Sequence, residues 1–155
     1  MAKEIERKFL LASDAWRQQI ERSERMVQGY LNDQGPVSVR ARIAGSRAWL
    51  NIKSRTLGIS RDEFEYEIPL TDAERMLDHL TTGPVIDKTR HFVTYGEHLW
   101  EIDEFHGEND GLVVAEVELE SVDQPFHRPD WLGDEVSDDA RYYNVSLVKN
   151  PFSQW

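Results

Sequence analysis

Arg61-Asp62-Glu63-Phe64-Glu65-Tyr66-Glu67-Ile68 alternates charge and hydrocarbon at every second position over most of its length. Side chains two apart in a strand share a face, so Arg61, Glu63, Glu65 and Glu67 make one face charged while Phe64, Tyr66 and Ile68 make the other apolar. A helix would scatter the same residues around its circumference. The stretch therefore reads as a strand with two chemically opposite faces.

The same scheme recurs on both sides of it. Upstream, Glu4, Glu6 and Lys8 alternate with Ile5, Arg7 and Phe9; Arg40 and Arg42 alternate with Val39, Ala41 and Ile43; Asn51 and Lys53 alternate with Leu50 and Ile52. Downstream come Lys88 and Arg90, then Glu101 and Asp103 against Trp100 and Ile102, then Glu116, Glu118 and Glu120 against Val117 and Leu119. Strands are expected near 3–11, 25–31, 37–44, 47–54, 60–69, 85–95, 98–105 and 112–121. Gly45-Ser46 and Gly96-Glu97 fit tight hairpin links, Asp110-Gly111 fits a turn, and Pro69 closes a strand where a ladder donor is spared. Helices are expected from about Ser13 to Glu24 and Thr71 to Leu80, each opened by a hydroxyl residue suited to an N-cap, with a shorter one near Asp139 to Val148. Strands joined directly to one another predict an antiparallel sheet, and with helices set between or after them an α+β fold or a barrel with helices outside.

Composition limits what such a fold can do. At 155 residues, 39% hydrophobic and 30% charged, the chain is expected to form one domain over 1–155 with an ordinary core. No run approaches the roughly 20 apolar residues of a membrane span, and the charged N-terminus does not read as a signal peptide, so a cytoplasmic protein is expected, with no membrane partner. The absence of cysteine removes disulfides, thiolate metal sites and cysteine nucleophiles. A formal net charge of -11 argues against a nucleic-acid partner, which would need a basic face. It does not argue against a small phosphate ligand held by a locally cationic site.

Alternation alone describes many half-solvated sheets. Here the charged faces are sorted by sign: some strands are almost purely acidic, others almost purely basic. Like charges about 7 Å apart along a strand repel, and divalent cations on the acidic rows with a polyanion on the basic rows would offset that. A polar-lined barrel with its apolar faces turned outward meets both conditions. None of the five histidines, His79, His91, His98, His106 and His127, has helical metal-ligand spacing. Trp49 and Trp100 alternate with core-facing positions or border the barrel, where packing is the commoner fate of tryptophan.

Glu4-Ile5-Glu6-Arg7-Lys8 resembles the N-terminal Glu-x-Glu-x-Lys signature of the CYTH superfamily, the triphosphate tunnel metalloenzymes. Gln28-Gly29-Tyr30-Leu31, Val39-Arg40-Ala41-Arg42, Ile52-Lys53-Ser54, Glu63 to Glu67, Lys88-Thr89-Arg90, Glu101-Ile102-Asp103, Glu116-Val117-Glu118 and Arg141-Tyr142-Tyr143-Asn144 look like successive blocks of that family, in order. The resemblance implies a closed antiparallel β-barrel of about eight strands. It also implies Mg²⁺ or Mn²⁺ held by Glu4, Glu6, Glu116 and Glu118 with help from Glu63, Glu65 or Asp103. Lys8, Arg40, Arg42, Lys53, Lys88 and Arg90 would bind phosphate oxygens, and Lys8, Glu6, Glu118 and Lys88 would carry the chemistry.

Inorganic triphosphate needs only the tunnel and is the expected substrate. Nucleoside and other organic triphosphates, a class IV adenylate cyclase activity and a non-catalytic polyphosphate sensor are the alternatives. The cyclase reading calls for His-Phe before the signature, where Met1-Ala2-Lys3 stands. A homodimer is compatible with such a barrel but does not follow from the residues.

Overall fold

The computed structural model describes residues 3–155; Met1 and Ala2, just before the Glu4 motif, lie outside them. The strands are β1 (Lys3–Leu11), β2 (Arg22–Tyr30), β3 (Val37–Ala44), β4 (Arg47–Ser54), β5 (Ser60–Ile68), β6 (Ile86–Tyr95), β7 (His98–Phe105), β8 (Val113–Glu118) and the short β9 (Leu132–Glu135). All pairings are antiparallel, in the order β5-β4-β3-β2-β6-β7-β8-β1-β9. β1 also pairs with β5, through Lys3↔Asp62, Glu4↔Arg61 and Ile5↔Ser60, which closes eight strands into a barrel. β9 then adds to the second half of β1, at Phe9 and Leu11.

The hairpin links fall where the glycines demand. Gly45 and Gly96 have φ of 61° and 62° and occupy the first central position of the two-residue β3–β4 and β6–β7 turns, where a side chain would be strained.

Two expectations are corrected. Residues 13–24 do not form a helix: a 3-10 turn spans only Ala15–Gln19, and β2 begins at Arg22. Arg22, Glu24 and Met26 already follow period-2 alternation and pair with β6 through Arg22↔Phe92 and Glu24↔Arg90, so tertiary pairing overrides local helix preference. The α1 helix (Leu70–His79) forms near its expected place, but it opens after Pro69 and no side chain caps it. The C-terminal segment divides into a 3-10 turn at Ala140–Tyr142 and α2 (Asn144–Lys149).

The barrel has two apolar clusters because its two surfaces differ. Phe9, Val93, Trp100, Ile102, Ala115 and Val117 point outward from β1, β6, β7 and β8 and are covered by Trp16, Leu119 and Trp131. Trp100 meets Trp131 edge to face at 5.7 Å between centroids. Full burial of such side chains is worth about 1.5–3 kcal/mol each. The second cluster lies on the inner face near one end, where Ile86, Phe105 and Val114 pack with Leu112, Tyr142 and Leu147. The C-terminal segment thus covers part of the barrel's interior. α1 packs on the outside of β3 and β4, while Phe64 and Tyr66 on the outer face of β5 stay 44% and 57% exposed.

Candidate active site

Because each strand turns every second residue inward, the charged faces converge on one cavity of about 460 Å³. Its lining includes Glu4, Glu6, Lys8, Arg40, Arg42, Lys53, Glu63, Glu65, Lys88, Arg90, Glu116 and Glu118. Twelve of the thirteen site residues expected from sequence therefore line one cavity. The thirteenth, Asp103, lies behind it: wholly buried, it accepts from Lys88 Nζ at 2.7 Å and from Arg90 Nε at 2.8 Å. An assisting metal-ligand role was expected for Asp103, but its position is that of a counter-ion, since both its oxygens are occupied by cations.

The tunnel charge is divided. On the β3–β4 side, Arg42 donates through Nε to Gln28 Oε1 at 2.8 Å, and Arg40 donates through Nε to Asn51 Oδ1 at 3.3 Å. Both partners are neutral, so neither of these buried guanidinium groups donates to a carboxylate. Burial, with Arg40 and Arg90 nearby, lowers the Arg42 pKa to about 9. Arg42 is therefore poised to gain from an incoming anion.

On the opposite wall the register sets Glu6 directly across from Glu118 and Lys8 across from Glu116. Like charges facing each other on neighbouring strands are unfavourable. Burial, followed by the fields of Glu116 and Glu4, holds the Glu6 carboxyl well above its ordinary value, and burial with Glu4 and Glu101 raises that of Glu118. Glu116 goes the other way. Burial opposes its ionisation, but Lys8, Arg90 and Lys88 outweigh that and hold it well below the usual carboxylate range. Lys8 Nζ sits 3.3 Å from Glu116.

Lys53 already bridges two carboxylates, with Nζ 3.1 Å from both oxygens of Glu4 and 3.1 Å from Glu63. Lys88, 1% exposed, is pushed down to about 7 by burial; Asp103 opposes that shift, and Arg90 and Arg42 add to it. Lys88 Nζ also donates to Asn144 Oδ1 at 3.0 Å, and Gln28 Nε2 donates to the same oxygen at 2.9 Å.

Among the described residues no three carboxylates or imidazoles are gathered at ligating distance from a common point. A hard, well-hydrated divalent cation takes one or two carboxylates and completes its sphere with water and ligand phosphates. The face-to-face Glu6 and Glu118, with their raised pKa values, are the pair such a cation would relieve.

Gln28, Asn51 and Asn144 order the cations, yet sequence reasoning gave them no role. Gln28 was open to detection, since it shares the inward face of β2 with Glu24, Met26 and Tyr30. Asn144 stands in the Arg141-Tyr142-Tyr143-Asn144 block, but its contact with Lys88 arises only through tertiary folding. Trp49 lines the tunnel, whereas Trp100 is in the outer core. His91 lies outside the barrel, between Ser23 and Glu104.

Residues 2–149 match the family model described as the CYTH domain. The chain belongs to the CYTH domain family. Among CYTH relatives, an inorganic triphosphatase of Acetivibrio thermocellus is 43% identical over 155 residues, covering all of this chain and 99% of its own length. An inorganic triphosphatase of Nitrosomonas europaea is 37% identical over 151 residues, 94% of this chain and 96% of its own. The crystal structure of an inorganic triphosphatase superposes with a TM-score of 0.68 at 35% identity, covering 96% of this chain and 95% of that one. Membership of the CYTH family implies a requirement for a divalent metal. Among the described residues no helix is long and apolar enough to cross a membrane.

Proposed function

We propose that this chain hydrolyses inorganic triphosphate to pyrophosphate and phosphate in the charged tunnel, with Mg²⁺ or Mn²⁺ as cofactor and the cytoplasm as its compartment. The observation that carries this reading is the division of charge within one cavity. Arg40 and Arg42 have only neutral partners on one wall, and Glu6 faces Glu118 on the other. A polyanion satisfies the first wall and a divalent cation the second. The relatives named inorganic triphosphatase, similar over nearly their whole length, support the same substrate.

Glu6 and Glu118, with Glu4 and Glu116 beside them, would hold the metal, which would supply charge neutralisation and a water of lowered pKa. Arg40 and Arg42 present planar forks to the phosphate oxygens, while Lys8 contributes a point charge fixed by Glu116. Attack by water on a terminal phosphorus forms one P–O bond and breaks that to the bridging oxygen. Glu6 or Glu118, each with its pKa raised chiefly by burial, would take the water's proton. Lys88, with its pKa near 7, can return a proton to the leaving pyrophosphate oxygen. No protein nucleophile is needed, because phosphoryl transfer draws chiefly on positioning and electrostatic stabilisation.

The test is phosphate release from inorganic triphosphate, ATP and pyrophosphate in parallel, with Mg²⁺, Mn²⁺ or chelator. Metal-dependent turnover favouring triphosphate is the expected result. Tight triphosphate binding without release would instead indicate a sensor.

A further inference from the structure

Every cation expected to grip phosphate has a polar partner in the tunnel wall. Arg61 is different. It lines the same cavity, yet among the described residues its side chain makes no hydrogen bond or ion pair, and its Nε is buried without a partner. In register it stands opposite Glu4, but both Glu4 oxygens are engaged by Lys53.

What fixes Arg61 is an aromatic ring. Its guanidinium lies over Tyr143, 5.1 Å from the centroid, and Lys8 Nζ approaches the same ring at 5.7 Å. Tyr143 is itself anchored: its hydroxyl donates to the Ser137 carbonyl at 2.6 Å and accepts from the Gly58 N–H at 3.2 Å. A stacked guanidinium keeps its N–H edge free while losing little freedom on binding. An unpartnered, pre-oriented Arg on the wall of an anion cavity is built to bind an anion.

Its place along the tunnel says which part of the anion. Successive inward steps on the β3–β5 wall pass from Arg42 to Arg40, then Lys53, then Arg61 beside the C-terminal cover. Neighbouring inward residues on one strand are separated by about 7 Å. A chain reaching from the Arg40–Arg42 pair to Arg61 must therefore be longer than one held by that pair alone.

We infer that Arg61, held by Tyr143, binds the far terminal phosphate of the substrate and makes the tunnel selective for triphosphate over pyrophosphate. This inference rests on the triphosphatase reading and names a specificity-determining residue within it.

The experiment compares wild type, Arg61→Ala, Arg61→Lys and Tyr143→Leu, with circular dichroism to verify folding. Steady-state triphosphate turnover is measured with Mg²⁺, along with inhibition by pyrophosphate. Arg61→Ala is expected to raise the triphosphate KM roughly 10- to 100-fold, the range for a lost charged hydrogen bond. Its kcat should change little, and pyrophosphate inhibition should stay within about twofold of wild type, since that ligand does not reach Arg61. Arg61→Lys should recover part of the loss. Tyr143→Leu should act in the same direction and add little to Arg61→Ala. An unchanged KM, or equal weakening of triphosphate and pyrophosphate, would overturn the inference. If wild type shows no turnover, the catalytic reading fails separately. Calorimetric triphosphate binding to the same variants then decides the role of Arg61, with equal affinity in Arg61→Ala counting against it.

Discussion

Lys88 Nζ and Asp103 Oδ2 lie 2.7 Å apart with side chains 1% and 0% exposed, and Asp103 also accepts from Arg90 Nε at 2.8 Å and Nη2 at 3.0 Å. One buried carboxylate thus holds two cations at the tunnel wall. Arg90 and Lys88 depress Asp103 well below the ordinary aspartate range despite burial. Asp103→Asn keeps the shape but removes the counter-charge. Breaking a buried pair from one side costs about 3–5 kcal/mol. Urea unfolding should show a loss of that order, and a loss below about 1 kcal/mol would mean that water already compensates these cations.

Glu6 gives a pH-dependent stability of defined sign. Its folded pKa is raised, so its contribution is fully present below the unfolded value and is lost as pH rises through the folded one. In metal-free protein, Glu6→Gln should therefore raise Tm at pH 7.5, with each kcal/mol worth roughly 2–4 °C in a chain of this size. The gain should shrink as pH falls towards the ordinary glutamate range, where wild-type Glu6 is already neutral. Calorimetric scans at both pH values check this, and a gain that grows on acidification would contradict the assigned direction.

Lys53 occupies the space between Glu4 and Glu63 that a metal would otherwise share. Lys53→Met should tighten Mn²⁺ binding in the absence of substrate, by roughly 5- to 10-fold for about 1 kcal/mol of relieved competition. The same change should weaken triphosphate binding. Titration calorimetry with each ligand separates the two effects, and weaker Mn²⁺ binding in the variant would show that Lys53 organises those carboxylates rather than competing for them.

Arg42→Ala and Glu6→Ala should each reduce triphosphate turnover by at least about 100-fold while leaving the circular dichroism spectrum unchanged, in line with the loss of one strong transition-state contact. Wild-type turnover in either variant would remove that residue from the catalytic assignment.

Gly29 lies on the outward face of β2, where an added Cβ would come within 2.5 Å of Thr81 Cγ2 and 3.0 Å of Leu77 Cδ2. Gly29→Ala should cost about 1–3 kcal/mol from overpacking against the end of α1. KM should be unaffected because the tunnel is on the other face. Thermal melts with parallel kinetics test both halves of that expectation.

Much of the molecule was legible in the chain because a strand's side-chain period is two. The run Glu4, Glu6, Lys8 and its counterparts on six other strands named the inward set, and Gly45 and Gly96 marked the hairpins that keep neighbours antiparallel. The missed elements lack that periodic signal. β9, Leu132-Gly133-Asp134-Glu135, is too short to show alternation, and the true start of β2 at Arg22 is settled by pairing with Phe92 rather than by local preference.

Sequence by itself therefore determined which residues share a face, the sign of charge on each face, and the order in which strands follow. Only the tertiary structure decided that those faces look into a common cavity. That depends on Glu4 meeting Arg61 across 57 positions of chain to close the ring. It also decided how charges are paired: Asp103 is spent on Lys88 and Arg90, while the side chains of Arg40, Arg42 and Arg61 have no carboxylate partner among the described residues. The reason is physical. Alternation is a property of neighbouring residues, whereas the pairing of charges depends on a few ångströms between residues far apart in sequence.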